Sequence, residues 1–134
     1  MTTGRTLDER RPMSRQMKTP GPDHPITVEK NPARVTVRAG DQVVADTTAA
    51  LVLQESDYPA VQYIPLADVD PALITPTDTS TYCPYKGDAS YYTLVTSSGE
   101  HVDAVWTYRE PYPAVAEIAD HVAFYPNKVT IEVH

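Results

Sequence analysis

The chain has 134 residues, 41% of them hydrophobic, which is enough for one domain with a single core and too few for two. Its formal net charge is -7, and residues 24–134 carry fifteen acidic side chains against six cationic ones. Because an acidic body repels a phosphate backbone, the composition argues against nucleic-acid binding.

Residues 1–23 differ from the rest of the chain, since they carry five cationic and three acidic side chains. Short polar N-terminal segments rich in Gly, Pro and Thr are typically disordered, so we expect residues 1–23 to be a disordered basic leader. We expect residues 24–134 to form a single β domain. No run of residues approaches the roughly 20 apolar residues that cross a bilayer, so we expect a soluble protein without a membrane partner.

The chain has one cysteine, Cys83, which excludes an intramolecular disulfide and a zinc site of four thiolates. A chain without an intramolecular disulfide is typical of the reducing cytoplasm, so we expect a cytoplasmic location. Two acidic pairs, Glu55-x-Asp57 and Asp68-x-Asp70, have the alternate spacing of a metal site, but a helix start explains Asp70 without any metal. We predict no metal and no cofactor.

Alternation of apolar and polar residues dominates the first half of the domain, as one-sided strands require. It occurs in residues 26–29 and 34–38, and the turn Ala39-Gly40-Asp41 predicts that residues 42–46 return as the second arm of a hairpin. Residues 49–54 and 61–66 predict a further pair of strands. Asp70 followed by Pro71 predicts a short helical turn, capped by the aspartate.

Strand patterns continue to the C-terminus. Residues 91–96 and 101–108 flank a Ser-Ser-Gly-Glu turn and predict a hairpin, and residues 121–125 and 129–133 predict the last two strands. Residues 113–120 predict the one short helix, beginning at Pro113 with an apolar stripe. The fold class is therefore mainly β: a single compact antiparallel β domain.

The segment Cys83-Pro84-Tyr85-Lys86-Gly87 is the best candidate site. It contains the only cysteine and one of the six cationic side chains of residues 24–134, and aromatic residues surround them in the sequence. Pro84 and Gly87 predict a tight turn that directs two side chains outward. Cys83 is either a nucleophile or a small buried hydrophobe. Lys86 is either a ligand contact or a solvated lysine. Glu55 is a rim carboxylate or a buried acid that needs a cationic partner.

Several motifs together carry a family resemblance: His24-Pro25, Tyr63-Ile64-Pro65, Cys83-Pro84-Tyr85-Lys86-Gly87, Ala104-x-Trp106-x-Tyr108 and Val122-Ala123-Phe124-Tyr125. Over residues 24–133 the chain resembles the domain-of-unknown-function family 427. The resemblance implies a compact β domain similar to the Mss4-like or β-tent architecture. It also implies a nucleotidyltransferase label, which the acidic pairs of this chain support only weakly.

Aromatic faces with a few polar tips suit a small planar or cationic ligand. We therefore predict a pocket for a small ligand, anionic or nucleoside-like, around the candidate segment. The ligand-binding candidates are Arg34, Tyr63, Cys83, Tyr85, Lys86, Trp106 and Tyr108. Alternatively, Arg34 pairs with Asp46 across the first hairpin. Trp106 alternatively packs in the hydrophobic core.

Two other function classes remain open at this point. One is an enzyme that uses Cys83 or Lys86, with Glu55 or a histidine moving protons. The other is a scaffold whose exposed sheet edges form a homodimer.

Overall fold

The structure is a computed structural model that describes residues 16–134. It contains ten strands, which are β1 (Ile26–Asn31), β2 (Val35–Ala39), β3 (Gln42–Thr47), β4 (Ala50–Glu55), β5 (Val61–Pro65), β6 (Ile74–Cys83), β7 (Gly87–Thr96), β8 (Gly99–Thr107), β9 (His121–Phe124) and β10 (Thr130–Val133). Short 3₁₀ helices span Leu66–Asp68, Pro71–Leu73 and Pro113–Ile118. None of the helices in this part of the chain is long and apolar enough to cross a membrane.

The strands form two antiparallel sheets. Seven of them make a sheet in the order β1-β4-β5-β9-β8-β7-β6, and the other three make a sheet in the order β10-β2-β3. The described residues thus form one compact, mainly β domain, which confirms the predicted fold class. The closer comparison with the Mss4-like architecture stays a prediction.

The two sheets enclose the first hydrophobic core. Val35 and Val37 of the small sheet are fully buried there, together with Leu94 and Val105 of the large sheet. A second core lies on the opposite face of the large sheet, because side chains alternate along a strand: Ile64 belongs to the first core and its neighbour Tyr63 to the second. The candidate site is on this second face.

The predicted helix at residues 113–120 is present only as 3₁₀ turns over Pro113–Ile118. Val115, with φ of -128° and ψ of 31°, interrupts the helical geometry. Val115 and Ile118 are both fully buried, and a spacing of three residues places them on the same side of a 3₁₀ helix. The segment therefore covers the second core with one narrow apolar edge rather than with a regular α-helical stripe.

The predicted hairpins and the cap are found in the structure. Strand β2 pairs with β3, β4 with β5 and β7 with β8, and the Asp70 carboxylate accepts a hydrogen bond from the Ala72 N–H at 3.0 Å. Strand β6 is an element that the sequence patterns did not predict. The last two strands belong to different sheets, since β9 lies between β5 and β8 whereas β10 pairs with β2.

The expected leader, residues 1–23, is only partly described, and residues 1–15 lie outside the described residues. At Lys18 the chain lies beside the β6–β7 turn. The Lys18 N–H donates to the Pro84 carbonyl oxygen at 2.8 Å, and Gly21 pairs with His24 in a short bridge. These contacts place the His24 side chain next to the candidate segment.

Candidate functional site

A tight turn joins β6 to β7 and carries the candidate segment. The Lys86 N–H donates to the Cys83 carbonyl oxygen at 3.2 Å, and Gly87 follows with a φ of 110°. A residue with a Cβ rarely adopts that φ, so glycine is required here. The Lys86 carbonyl also accepts from the Tyr112 N–H at 3.0 Å, which fixes the turn against the chain before the last 3₁₀ helix.

Lys86 reaches back from this turn to the end of β4. Its Nζ lies 2.5 Å from Oε1 of Glu55, and the two side chains are only 12% and 15% exposed. Lys86 is therefore not a freely solvated lysine. Glu55 is largely buried, and Lys86 supplies the cationic partner that a buried carboxylate needs.

Glu55 binds a second group through its other oxygen. His24 Nε2 lies 2.7 Å from Oε2 of Glu55, and the imidazole stacks on the Tyr85 ring with 4.1 Å between ring centroids. Burial raises the pKa of the Glu55 carboxyl, but the hydrogen bonds from Lys86 and His24 outweigh it and hold the pKa below its ordinary value. Since Glu55 is then ionised, His24 donates from Nε2.

A hollow of about 260 Å³ opens beside this ion pair on the second face of the large sheet. We call it the tyrosine hollow. Its walls come from β4, β5, β7 and β8, from the loop after β4, from the β6–β7 turn and from the residues that directly follow β8 and β9. The lining residues are Leu53, Glu55, Tyr58, Pro59, Val61, Tyr63, Lys86, Tyr91, Trp106, Tyr108 and Tyr125.

The aromatic walls are fixed by their own contacts. The Trp106 indole N–H donates to the Tyr63 hydroxyl at 3.1 Å, and the Trp106 ring packs against Tyr125 at a centroid distance of 4.6 Å. The Tyr91 hydroxyl lies 2.9 Å from Oγ1 of Thr81. Aromatic side chains held in this way give the hollow a defined shape before any ligand arrives.

The phenols of Tyr63, Tyr108 and Tyr125 stay protonated at neutral pH because the pKa of each is raised. Burial raises the pKa of Tyr63 and of Tyr108 well above the ordinary tyrosine value. Burial and a hydrogen bond with Tyr91 raise the pKa of Tyr125 to about 12. These hydroxyls are therefore neutral groups that can both donate and accept hydrogen bonds.

Tyr108 differs from the other buried tyrosines. It is only 7% exposed, its ring centroid lies 5.9 Å from Lys86 Nζ, and within residues 16–134 its hydroxyl has no hydrogen-bond partner. Every fully enclosed side-chain oxygen and nitrogen in this part of the chain does have a partner. The Tyr108 hydroxyl is therefore not fully enclosed, and because Tyr108 lines the hollow a bound molecule can hydrogen-bond to it.

The sequence-predicted ligand residues fall into two groups in the structure. Four of them line the tyrosine hollow, which are Tyr63, Lys86, Trp106 and Tyr108. Cys83 is half-buried and packs against the second core, while Tyr85 stacks on His24. Arg34 makes the predicted pair with Asp46, with Nε and a terminal nitrogen 2.9 and 2.7 Å from the two carboxylate oxygens.

The ligand-binding candidates from the sequence did not include four residues that the structure places at the site. Tyr58, Tyr91 and Tyr125 line the hollow, and His24 binds Glu55. The sequence does contain signals for two of them. Tyr58 stands before Pro59 in the β4–β5 loop, and Tyr125 ends the Val-Ala-Phe-Tyr string before Pro126.

A family model described as a domain of unknown function, DUF427, and named NTP_transf_9 matches residues 27–134. The chain belongs to the DUF427 family. Among curated proteins, none matched the chain. The family match covers every residue that lines the tyrosine hollow of this DUF427 domain, whereas His24 precedes the matched range.

The second acidic pair of this DUF427 domain, Asp68 and Asp70, has structural partners. Asp68 Oδ2 accepts from the Thr47 hydroxyl at 2.6 Å, and Asp70 caps the 3₁₀ helix Pro71–Leu73. Across residues 16–134, no three or more His, Cys, Asp and Glu side chains are grouped so that they could hold a metal ion.

Proposed function

We propose that this DUF427 domain binds a small, uncharged organic ligand in the tyrosine hollow. One observation carries the proposal: Tyr108 is only 7% exposed and lines a hollow of about 260 Å³, and its hydroxyl makes no hydrogen bond to another group of residues 16–134. A concave, mostly aromatic site with a few convergent polar groups is the usual form of a small-molecule site. Nucleoside-like molecules fall within this ligand class.

The charges of the hollow favour an uncharged ligand over an anionic one. Lys86 is the cation at its wall, but Glu55 already neutralises it at 2.5 Å. Residues 24–134 also carry a large acidic excess, which lowers the local concentration of anions. An anionic ligand would therefore have to separate Lys86 from Glu55 and leave that carboxylate without its main partner.

A thermal-shift screen of nucleosides, nucleotides, cofactors and common metabolites tests the proposal, because a ligand of the native state raises stability by mass action. Trp106 is the only tryptophan, so its emission gives a second readout inside the hollow. We expect a hit to change the emission and to bind at least five-fold more weakly to Tyr108→Phe. Tyr92→Phe, outside the hollow, is the matched control. A hit that leaves Trp106 and both variants unaffected would place binding elsewhere.

Catalysis is a second candidate function, and the contact between Glu55 and His24 favours it. A carboxylate that holds one ring nitrogen fixes the tautomer of a histidine and frees the other nitrogen for proton transfer. The enzyme then uses His24 and Glu55, and the roles of Cys83 and Lys86 stay as predicted from the sequence. If so, His24→Gln keeps ligand affinity but abolishes turnover of the bound molecule. The nucleotidyltransferase label, the homodimer and the cytoplasmic location stay predictions.

A further inference from the structure

A second hollow lies next to the tyrosine hollow, between β5 and β9. These strands pair only at Ile64 with Val122 and at Pro65 with His121. The first residues of β5 pair with β4 alone, and the last residues of β9 pair with β8 alone. The gap between the two strands holds an open volume of about 400 Å³, which we call the β5–β9 hollow.

The two hollows share part of their walls. Tyr58, Pro59, Val61 and Trp106 line both of them. A molecule that occupied both would pass along the Trp106 indole, whose orientation is fixed by the hydrogen bond to Tyr63. The two hollows therefore adjoin each other at these four residues.

The two parts differ in chemistry. The tyrosine hollow presents the Tyr108 hydroxyl and the Glu55–Lys86 pair. The β5–β9 hollow adds Ala60, Gln62, Phe124, Pro126 and Ile131 to the shared walls, and Gln62 is the only one of these five with a polar side chain. Apolar parts of a ligand gain free energy by leaving water for such walls.

Resting on the proposed function, we infer that the ligand is a neutral amphipathic molecule. Its polar, hydrogen-bonding head occupies the tyrosine hollow at Tyr108, and its apolar chain extends past Trp106 into the β5–β9 hollow. A cationic head is disfavoured because Lys86 Nζ already lies 5.9 Å from the Tyr108 ring centroid. An anionic head is disfavoured because Glu55 already neutralises Lys86.

Straight-chain primary amides test this inference, since the amide is a neutral head that both donates and accepts hydrogen bonds. Butyramide, hexanamide and octanamide are titrated against the full chain, with Trp106 emission as the readout. We expect affinity to rise about four-fold for each added methylene while the apolar hollow fills. Octanoate and octylamine, the anion and cation of similar length, should bind at least ten-fold more weakly than octanamide.

A bulky substitution in the β5–β9 hollow tests the contribution of that hollow separately from that of the tyrosine hollow. Ala60 is exposed at the wall of the β5–β9 hollow, so Ala60→Phe fills the space without disturbing a core. We expect this variant to bind octanamide at least ten-fold more weakly and butyramide as well as before. Ala67→Phe, at an exposed alanine that lines neither hollow, should bind both amides normally.

The outcomes distinguish the inference from the proposed function. If affinity is independent of chain length, or if Ala60→Phe behaves like Ala67→Phe, the two-part ligand is wrong. If no amide changes Trp106 emission while a molecule from the metabolite screen does, the inference is wrong and the proposed function stands. If neither set of molecules binds, both are wrong.

Discussion

Lys86 and Glu55 form an ion pair 31 residues apart in sequence, with 2.5 Å between Nζ and Oε1 and both side chains largely removed from water. The pair joins the β6–β7 turn to the end of β4. It also places a neutralised cation, rather than a free one, at the wall of the tyrosine hollow. The stability of the domain and the ligand class that we propose for it therefore depend on the same contact.

Breaking this pair should destabilise the domain. Lys86→Met leaves the Glu55 carboxylate with His24 as its remaining side-chain partner. We expect a loss of about 2 to 3 kcal/mol in the free energy of unfolding, somewhat less than for a fully buried pair. Urea unfolding measures it. Lys128→Met, at an exposed lysine, is the matched control, and equal effects of the two substitutions would contradict the prediction.

Glu55 should also contribute to acid sensitivity. Its pKa is lowered from 4.5 in the folded state, so the carboxylate stabilises the fold above that pH and the contribution is lost as pH falls through the lowered pKa. We expect unfolding free energy to decline more steeply below about pH 4.5 in the wild type than in Glu55→Gln. Urea midpoints between pH 6 and pH 3 give the comparison, and parallel curves would show that Glu55 has no such role.

Gly87 should be intolerant of a side chain. At a φ of 110°, an alanine is strained, and its Cβ would lie 3.4 Å from the Glu110 carbonyl oxygen. We expect Gly87→Ala to cost about 1 to 3 kcal/mol of unfolding free energy. Gly21→Ala is the control, because a Cβ there meets nothing within 4 Å and no positive φ is needed. Thermal unfolding of the two variants compares them directly.

The Tyr63 hydroxyl should hold the Trp106 indole in place. Tyr63→Phe removes the acceptor that lies 3.1 Å from the indole nitrogen without changing the packing of the ring. We expect a loss of about 1 kcal/mol and a shift of Trp106 emission. Tyr92→Phe should change neither quantity. An unchanged emission maximum in Tyr63→Phe would mean that the hydrogen bond does not orient the indole.

Cys83 should react slowly with alkylating reagents in the native protein. It is half-buried and packs against the second core, and slow access limits thiol chemistry. We expect iodoacetamide to modify it at least ten-fold more slowly at pH 7 than in the urea-unfolded chain. Alkylation as fast in the folded protein would support the enzyme alternative with Cys83 as nucleophile.

Hairpins were predictable because their signals are local. Turn residues such as Gly40 and Gly99, each with a positive φ, stand between alternating runs, and neither signal needs knowledge of distant residues. Strand β6 gave no such signal. It is an edge strand that contains Pro76 and has no buried residue, so its sequence needs no alternating apolar face.

The sequence by itself determined that this is a mainly β domain, and it marked Lys86, Tyr63, Trp106 and Tyr108 as residues to consider together. Only the tertiary structure decided which partners they have. The Glu55 carboxylate contacts Lys86 and His24, which lie 31 residues after and before it in the sequence. The Tyr63 hydroxyl accepts a hydrogen bond from Trp106, which is 43 residues away in the sequence. Side-chain type and local period are read along the chain, whereas these contacts depend on strand order and on where β5 and β9 separate, which non-local pairing sets.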